Sequence, residues 1–265
     1  IEIEFENKKY NFELNLLGRL QIKNILMAIL AAEKSGLKFN NIINVLKKIK
    51  PVEGRLEKIG IIRNNSKVIL DYAHTPKALE LALLNLKEQF PNSKLNLLFG
   101  CGGNRDLKKR SIMGRIAEKY SDKIYLTDDN PRNENPQKIR NEIKKGIKNK
   151  NISEVPERKN AITKCINNLC TGDIAIIAGK GHEKTQEYKE KKKFFSDRKE
   201  ILKSILKKNK LLFRDLRLNI IQEKTNILPK NLNFNKYCIN SKEIKKNDIF
   251  FFILGIKKYW NKIIY

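Results

Sequence analysis

Two segments of this sequence carry acids and bases at spacings suited to holding a small molecule that is charged at both ends. Thr127-Asp128-Asp129-Asn130-Pro131-Arg132 packs two carboxylates, an amide, a rigid proline and a guanidinium into one turn. An Asx-type turn accounts for Asp129, Asn130 and Pro131; it leaves Arg132 unexplained. A ligand bearing both an amine and a carboxylate would use the whole set, because the acid attracts the ammonium and the arginine grips the carboxylate through its planar fork. Gly100-Cys101-Gly102-Gly103-Asn104-Arg105-Asp106 is the second segment. Its glycines let the backbone approach a ligand, and Arg105 supplies another fork matched to a carboxylate or phosphate. A ligand-free flexible turn is the alternative, and the spacing fits neither the Walker loop nor the dinucleotide fingerprint.

Two further segments mix titratable groups with turn residues. In Asp71-Tyr72-Ala73-His74-Thr75-Pro76, Asp71 could accept hydrogen bonds from a ribose while the rings lie against a nucleotide. Equally, the segment reads as a helix start with Thr75 as N-cap and Pro76 at the first helical position. Ala178-Gly179-Lys180-Gly181-His182-Glu183 is a glycine-rich turn carrying charges of both signs. By itself such a run is commonly only a turn.

Their positions decide more than their compositions. Short β-rich runs near Val68 to Leu70, Leu95 to Phe99, Lys123 to Leu126 and Ile174 to Ile177 each lead directly into one of these segments. Between them lie amphipathic helical patterns near Pro76 to Gln89, Lys108 to Tyr120, Pro136 to Lys148 and Arg158 to Leu169. That alternation predicts an α/β fold, a Rossmann-like, mainly parallel sheet with flanking helices. Ligands bind beyond the carboxyl ends of the strands in such sheets. All four polar segments are therefore expected on one edge of the sheet. Upstream, an apolar pattern through Ile25, Leu26, Ala28, Ile29, Ala31 and Ala32 predicts a helix ending near Ser35-Gly36, and a shorter helix is expected from Asn41 to Ile49. Pro51-Val52-Glu53-Gly54-Arg55 then reads as a linker between two domains.

Composition narrows the function class. The 265 residues are 40% hydrophobic, and no run approaches the roughly 20 apolar residues of a membrane span. The first residues have neither the basic start nor the apolar run of a secretory signal, so a cytoplasmic location is expected. Cys101, Cys165, Cys170 and Cys238 form no C-x-x-C pair, and His74 and His182 are the only histidines, so neither a zinc site nor a disulfide framework is expected. A net charge of +27 would ordinarily suggest nucleic acid. The lysines, however, are scattered, and the strand-end segments mix Asp and Glu with Arg, unlike a phosphate-tracking groove with stacking aromatics. A nucleic-acid partner is not expected; a positive field would still draw nucleotide-bearing substrates.

Taken together and in order, Gly54-Arg55-Leu56-Glu57, Asp71 to Pro76, Gly100 to Asp106, Asp129 to Arg132 and Gly179 to Glu183 resemble the Mur ligases, most closely the branch that adds diaminopimelate. The similarity spans roughly Leu17 to Ile205. It implies ATP-dependent amide formation, in which the D-glutamyl carboxylate of UDP-N-acetylmuramoyl-L-alanyl-D-glutamate is phosphorylated and the amine of meso-diaminopimelate attacks the acyl phosphate. By the same resemblance Arg132 holds the distal carboxylate of that amino acid. Arg105, Asn130, Gly179 and Glu183 complete the pocket with Asp129 and Pro131, and Glu183 lies close to the distal ammonium. Arg55 and Asp71 match positions that reach ATP, and Asn24 matches an asparagine near adenine. Gln21 departs from the pattern, which usually has asparagine there.

Magnesium is implied as the clamp on the phosphates, held mainly by a central domain. The chain contains neither a G-x-x-x-x-G-K-[ST] loop nor the segment carrying the family's carbamylated lysine, so it is expected to be inactive alone. The resemblance divides the chain into residues 1–52, the end of the central ATPase domain; 53–208, the carboxy-terminal domain; and 209–265. In this last part Ile239 to Ile244, then Asn247-Asp248 and an expected strand from Ile249 to Leu254 ended by Gly255, look like the start of a second Mur ligase, of the branch that adds D-alanyl-D-alanine. Tyr259-Trp260-Asn261 departs from that continuation. The competing functional class is a non-catalytic basic protein that binds nucleotide-sugar peptides or nucleic acid.

Overall fold

The computed structural model describes residues 1–225, apart from positions 15, 47, 149, 150 and 190, together with 237–238 and 249–250. The chain forms two compact units, Ile1–Phe213 and Arg214–Tyr265.

The first unit opens on an antiparallel hairpin, β1 (Glu2–Phe5) and β2 (Lys8–Asn11), followed by helices α1 (Arg19–Lys34) and α2 (Phe39–Leu46). Phe12, Ile25, Ile29, Ile42, Ile43 and Leu46 bury one another, and the Phe5 and Phe39 rings stack at 4.0 Å. The sequence places α1 correctly. It puts α2 too late, because Phe39 starts the helix by packing on the hairpin, a contact that local periodicity cannot register. No helix or strand occupies Pro51 to Arg55.

The rest of this unit is a six-stranded sheet in the order β3-β4-β8-β5-β6-β7: Glu57–Ile61, Lys67–Asp71, Ile174–Ala178, Leu95–Phe99, Lys123–Leu126 and Ile152–Glu154. β3 pairs antiparallel with β4; every other pairing is parallel. Alternation along each strand sends side chains to two faces. Ile69, Leu97, Phe99, Ile124, Leu126 and Ile176 meet helices α3 (Pro76–Gln89), α4 (Lys108–Tyr120) and α5 (Pro136–Lys144). Val68, Leu70, Leu98, Tyr125, Ala175 and Ile177 meet α6 (Arg158–Asn167) and the first part of α7 (Asp197–Thr225). Burial on both faces explains why these strands read as near-continuous apolar runs.

Two helix starts follow directly from sequence. Pro76 opens α3 behind Thr75, whose hydroxyl accepts from the Ala78 N–H at 3.4 Å. Pro136 opens α5 behind Asn135, whose side-chain oxygen accepts from Gln137 and Lys138. Caps of this kind are worth about 1 kcal/mol each.

Several elements go beyond the sequence reading: β1 and β2, the edge strands β3 and β7, the hairpin of β9 (Thr185–Tyr188) and β10 (Lys191–Phe194), and the length of α7. α5 stops at Lys144 and α6 at Asn167, short of the expected ends at 148 and 169. α7 continues through residues 208 and 209. In the second unit Tyr237–Cys238 (β11) and Ile249–Phe250 (β12) pair in parallel. The expected strand beyond Phe250, and the polar segment from 239 to 248, lie outside the described residues. Among the described residues no helix is long and apolar enough to cross a membrane.

Candidate functional site

Because β4, β8, β5 and β6 are parallel neighbours, the segments at their carboxyl ends emerge side by side. The turn after β6 touches the glycine loop after β5: the Gly103 N–H donates to the Asn130 carbonyl at 2.9 Å. A Cβ at Gly103 would stand 1.8 Å from the Pro131 carbonyl oxygen, so no other residue fits here without displacing the turn. After β8, Gly179 has φ of 112° and lies against the Asp129 carboxylate, 2.6 Å from where a Cβ would be. Both its conformation and its closeness require glycine.

Asn130 joins these segments. Its side-chain nitrogen donates to Glu183 Oε2 at 3.0 Å, and its oxygen accepts from Lys180 Nζ at 2.9 Å and from the Glu187 N–H at 3.1 Å. Lys180 also bonds Glu183 Oε2 at 2.9 Å. Burial alone would raise the Glu183 carboxyl, but the hydrogen bonds from Lys180 and Asn130 and the nearby Lys180 and Arg158 charges outweigh it and hold the group below its ordinary value. Glu183 therefore stays ionised, with no hydrogen bond to its second oxygen among the described residues and the side chain 31% exposed.

Asp129 is a different acid. It is buried, and its carboxylate accepts no hydrogen bond from the described residues, although Gln186 donates to its backbone carbonyl at 2.7 Å. Burial pushes its carboxyl above the ordinary value against the pull of Arg158 and Lys180. A buried carboxylate without a donor is an opening for a cationic ligand. Arg132 adopts a positive φ of 52°, donates from Nη1 to the Gly103 carbonyl at 2.8 Å and stands 3.3 Å from Glu187 Oε2 through Nε. Arg105 is exposed and makes no hydrogen bond or ion pair among the described residues. Thus Asp129, Asn130, Pro131, Arg132, Gly179 and Glu183 converge, while Arg105 stands at the margin on the same glycine loop.

Of the residues expected to meet a nucleotide, Arg55 and Asp71 adjoin Tyr72 and Asn24 lies on α1. Asp71 spends both oxygens on backbone, accepting from Leu56 N at 2.7 Å and Ala73 N at 2.8 Å, which ties the start of β3 to the end of β4. Burial raises its carboxyl, against those two bonds and the Arg55 charge. Each oxygen retains a lone pair for a ribose. Arg55 lies over the Tyr72 ring at 4.6 Å, with the His74 and His182 rings 4.6 and 5.2 Å from Tyr72. Asn24, exposed on α1, makes one side-chain hydrogen bond among the described residues, from Nδ2 to Gln21 Oε1 at 3.4 Å. Among the described residues it shares no bond or ring contact with Arg55 or Asp71. No group of three His, Cys, Asp or Glu among the described residues could hold a metal ion.

The sequence reading passes over the supports beneath the site. Arg158, fully buried, grips Asp197 at 2.8 and 2.7 Å and the Ala178 carbonyl at 2.9 Å, fixing the strand end that precedes Gly179. Arg110 donates to both oxygens of Glu134, to Glu142 and to the Gly102 carbonyl, and Glu134 accepts from the Asn104 N–H. Both arginines stand near the starts of amphipathic helices, where a basic residue ordinarily reads as solvated.

Residues 54–181 match the family model described as Mur ligase, glutamate ligase domain. This part of the chain is a Mur ligase domain. The ligase named UDP-N-acetylmuramoyl-L-alanyl-D-glutamate--2,6-diaminopimelate ligase in Rickettsia montanensis is 45% identical over 206 residues, covering 77% of this chain and 42% of that protein. The protein of the same name in Rickettsia rickettsii is 46% identical with the same coverage. A solved structure of a ligase of that name superposes with a TM-score of 0.59 at 35% identity, covering 76% of this chain and 41% of its own. The chain thus spans 42% of the length of these two curated relatives, and the matched residues carry the polar strand-end segments as far as Gly181, with His182 and Glu183 following directly.

Proposed function

We propose that this Mur ligase domain is the amino-acid-binding part of a ligase that joins meso-diaminopimelate to UDP-N-acetylmuramoyl-L-alanyl-D-glutamate at the expense of ATP, in the cytoplasm, in peptidoglycan synthesis. The observation that carries the reading is the bonding of the Asp129 to Arg132 turn to the Gly179 to Glu183 loop through Asn130 and Lys180. That joining brings Asn130, Lys180 and Glu183 together, with Asp129 and the Arg132 fork at the two ends of the same turn. Diaminopimelate carries an ammonium and a carboxylate at each end. Arg132 takes the distal carboxylate; Asp129 and Glu183 face the ammonium; Arg105, Asn130 and Gly179 complete the pocket.

In the reaction, ATP phosphorylates the D-glutamyl carboxylate, and the amine held by this pocket displaces phosphate from the acyl phosphate to form the amide. This domain's contribution is to hold the nucleophile, a positioning effect that can supply several kcal/mol of a barrier. Arg55, Asp71 and Asn24 are assigned to the nucleotide, with Tyr72 as the surface on which Arg55 is held. Phosphate and magnesium binding require a loop that these 265 residues do not contain, so the chain alone does not turn over. Residues 1–52 are assigned to the end of an ATPase domain, 53–208 to the carboxy-terminal domain, and 209–265 to the start of a second Mur ligase.

Isothermal titration of the purified chain with meso-diaminopimelate, with lysine as control, tests the reading. Selective binding of the diacid supports it. Equal affinity for lysine, or binding of the UDP-dipeptide without amino-acid selectivity, overturns it in favour of a non-catalytic binding protein.

A further inference from the structure

The Arg132 fork already has an internal partner, and the way that partner is held suggests its purpose. Glu187 lies on β9, the first strand of the hairpin that straps over the Asp129 to Arg132 turn. The strap is fastened by backbone groups. The Arg132 N–H donates to the Glu187 carbonyl at 3.1 Å, the Lys189 N–H to the Arg132 carbonyl at 2.6 Å, and the Glu187 N–H to the Asn130 side chain at 3.1 Å. Gln186 adds a bond to the Asp129 carbonyl. None of these needs the Glu187 side chain. Its carboxylate nevertheless turns to the Nε edge of Arg132, at 3.3 Å, looser than the 2.7–2.9 Å of a tight guanidinium–carboxylate bond. Both side chains are about a quarter exposed, 24% and 28%, so the pair is open to solvent and to an incoming ion.

The guanidinium's bonding capacity is divided accordingly. Nη1 is tied to the Gly103 carbonyl, and an added Cβ at Gly102 would be 2.9 Å from the same atom, so the fork is seated with its Nη1 side against the glycine loop. The Nε and Nη2 edge is the one from which a second carboxylate can be gripped in bidentate fashion. Glu187 occupies its Nε corner.

We infer that Glu187 tempers the affinity of the pocket for the diacid, as an internal carboxylate that competes with the ligand's carboxylate for the Nε edge of Arg132 and swings away when the diacid binds. The inference rests on the amino-acid-binding reading of the pocket. A diacid must repay the broken pair, whereas an amino acid without the distal carboxylate leaves it intact. Glu187 therefore lowers affinity for the diacid and at the same time keeps the fork's charge compensated when the pocket holds no ligand.

The test is a titration of wild type and Glu187→Gln with meso-diaminopimelate and with lysine, alongside NMR of the Arg132 Nε–H resonance, assigned by its loss in Arg132→Lys. A partly exposed ion pair is worth up to about 1 kcal/mol, so Glu187→Gln should bind the diacid about three- to fivefold more tightly, with lysine unchanged. Its Arg132 Nε–H resonance should also shift at lower acetate concentration than in wild type. Unchanged or weaker diacid binding by the variant overturns the inference, as does an equal gain for lysine. If neither protein binds the diacid, the amino-acid reading fails, and acetate decides the fate of Glu187 by itself: a shift at lower acetate concentration in the variant sustains the competition, and identical titrations end it.

Discussion

The two halves of the site are built in opposite ways. Around Asn130 the charges are partly buried and cross-linked: Lys180 is wholly enclosed, Glu183 accepts from two donors, and Arg158 braces the strand end from below. Around Tyr72 the charged and titratable groups are exposed and more lightly held: Arg55 lies over the half-buried ring, His182 stands beside it, and His74 meets its edge while bonding the Tyr72 carbonyl through Nδ1 at 2.9 Å. The first arrangement fixes its geometry before a ligand arrives and loses little entropy on binding. The second has side chains free to reorient. Discrimination between similar amino acids calls for the former; the latter suits a ligand that is gripped chiefly elsewhere. On this contrast, substitutions under the Asn130 side should be costly to the fold, and substitutions on the Tyr72 side nearly silent.

The largest effect is expected from Arg158→Met. It strands Asp197, which is 0% exposed, without its partner, and removal of one member of a buried pair costs about 3 to 5 kcal/mol. Denaturant unfolding measures this directly; a loss below about 1 kcal/mol would show that the bracing is not structural.

A smaller, pH-dependent effect is expected behind Asp128. Glu154 is bonded by Arg140, Lys144 and Gln137; burial works against ionisation there, but these donors win and bring its carboxyl down to about 2 from 4.5. A depressed folded-state value means stability that is fully present above 4.5 and lost as pH falls toward 2. Glu154→Gln should therefore cost about 1 to 2 kcal/mol at neutral pH, after allowance for partial exposure, with the deficit disappearing across that acid window. A deficit independent of pH would mean that packing, not charge, is at stake.

The smallest effect is expected from Tyr72→Ala, about 0.5 to 1 kcal/mol in stability from the lost cation–π contact at a partly exposed ring. It should leave diaminopimelate affinity unchanged. A tenfold loss of that affinity would erase the distinction between the halves.

How much of this can be read from the chain itself depends on the range of the forces involved. The strands Leu95–Phe99 and Lys123–Leu126 and the helices Pro76–Gln89 and Lys108–Tyr120 coincide with their sequence-based bounds, because apolar runs, prolines and caps act within a few residues. The strand-end segments are legible for a similar reason, since their residue types are unusual for plain turns. The hairpin carrying Glu187 is Lys-rich and exposed along β10, with no apolar alternation to announce it. Arg158 and Arg110 find their acids 39, 24 and 32 positions away. Asp71 reads as a ligand contact in the sequence, and in the fold its two oxygens bond the backbone of Leu56 and Ala73. Contacts at that separation leave no local pattern, so the site's lining is legible while its supports are not.

The most direct test of the central claim, that a preformed pocket reads the distal carboxylate through Arg132, is a double difference by calorimetry: wild type and Arg132→Ala, each titrated with meso-diaminopimelate and with lysine. Loss of a charge-assisted bond should weaken the diacid by about 1.5 to 3 kcal/mol and leave lysine where it was. Equal diacid affinity in the two proteins would contradict the claim.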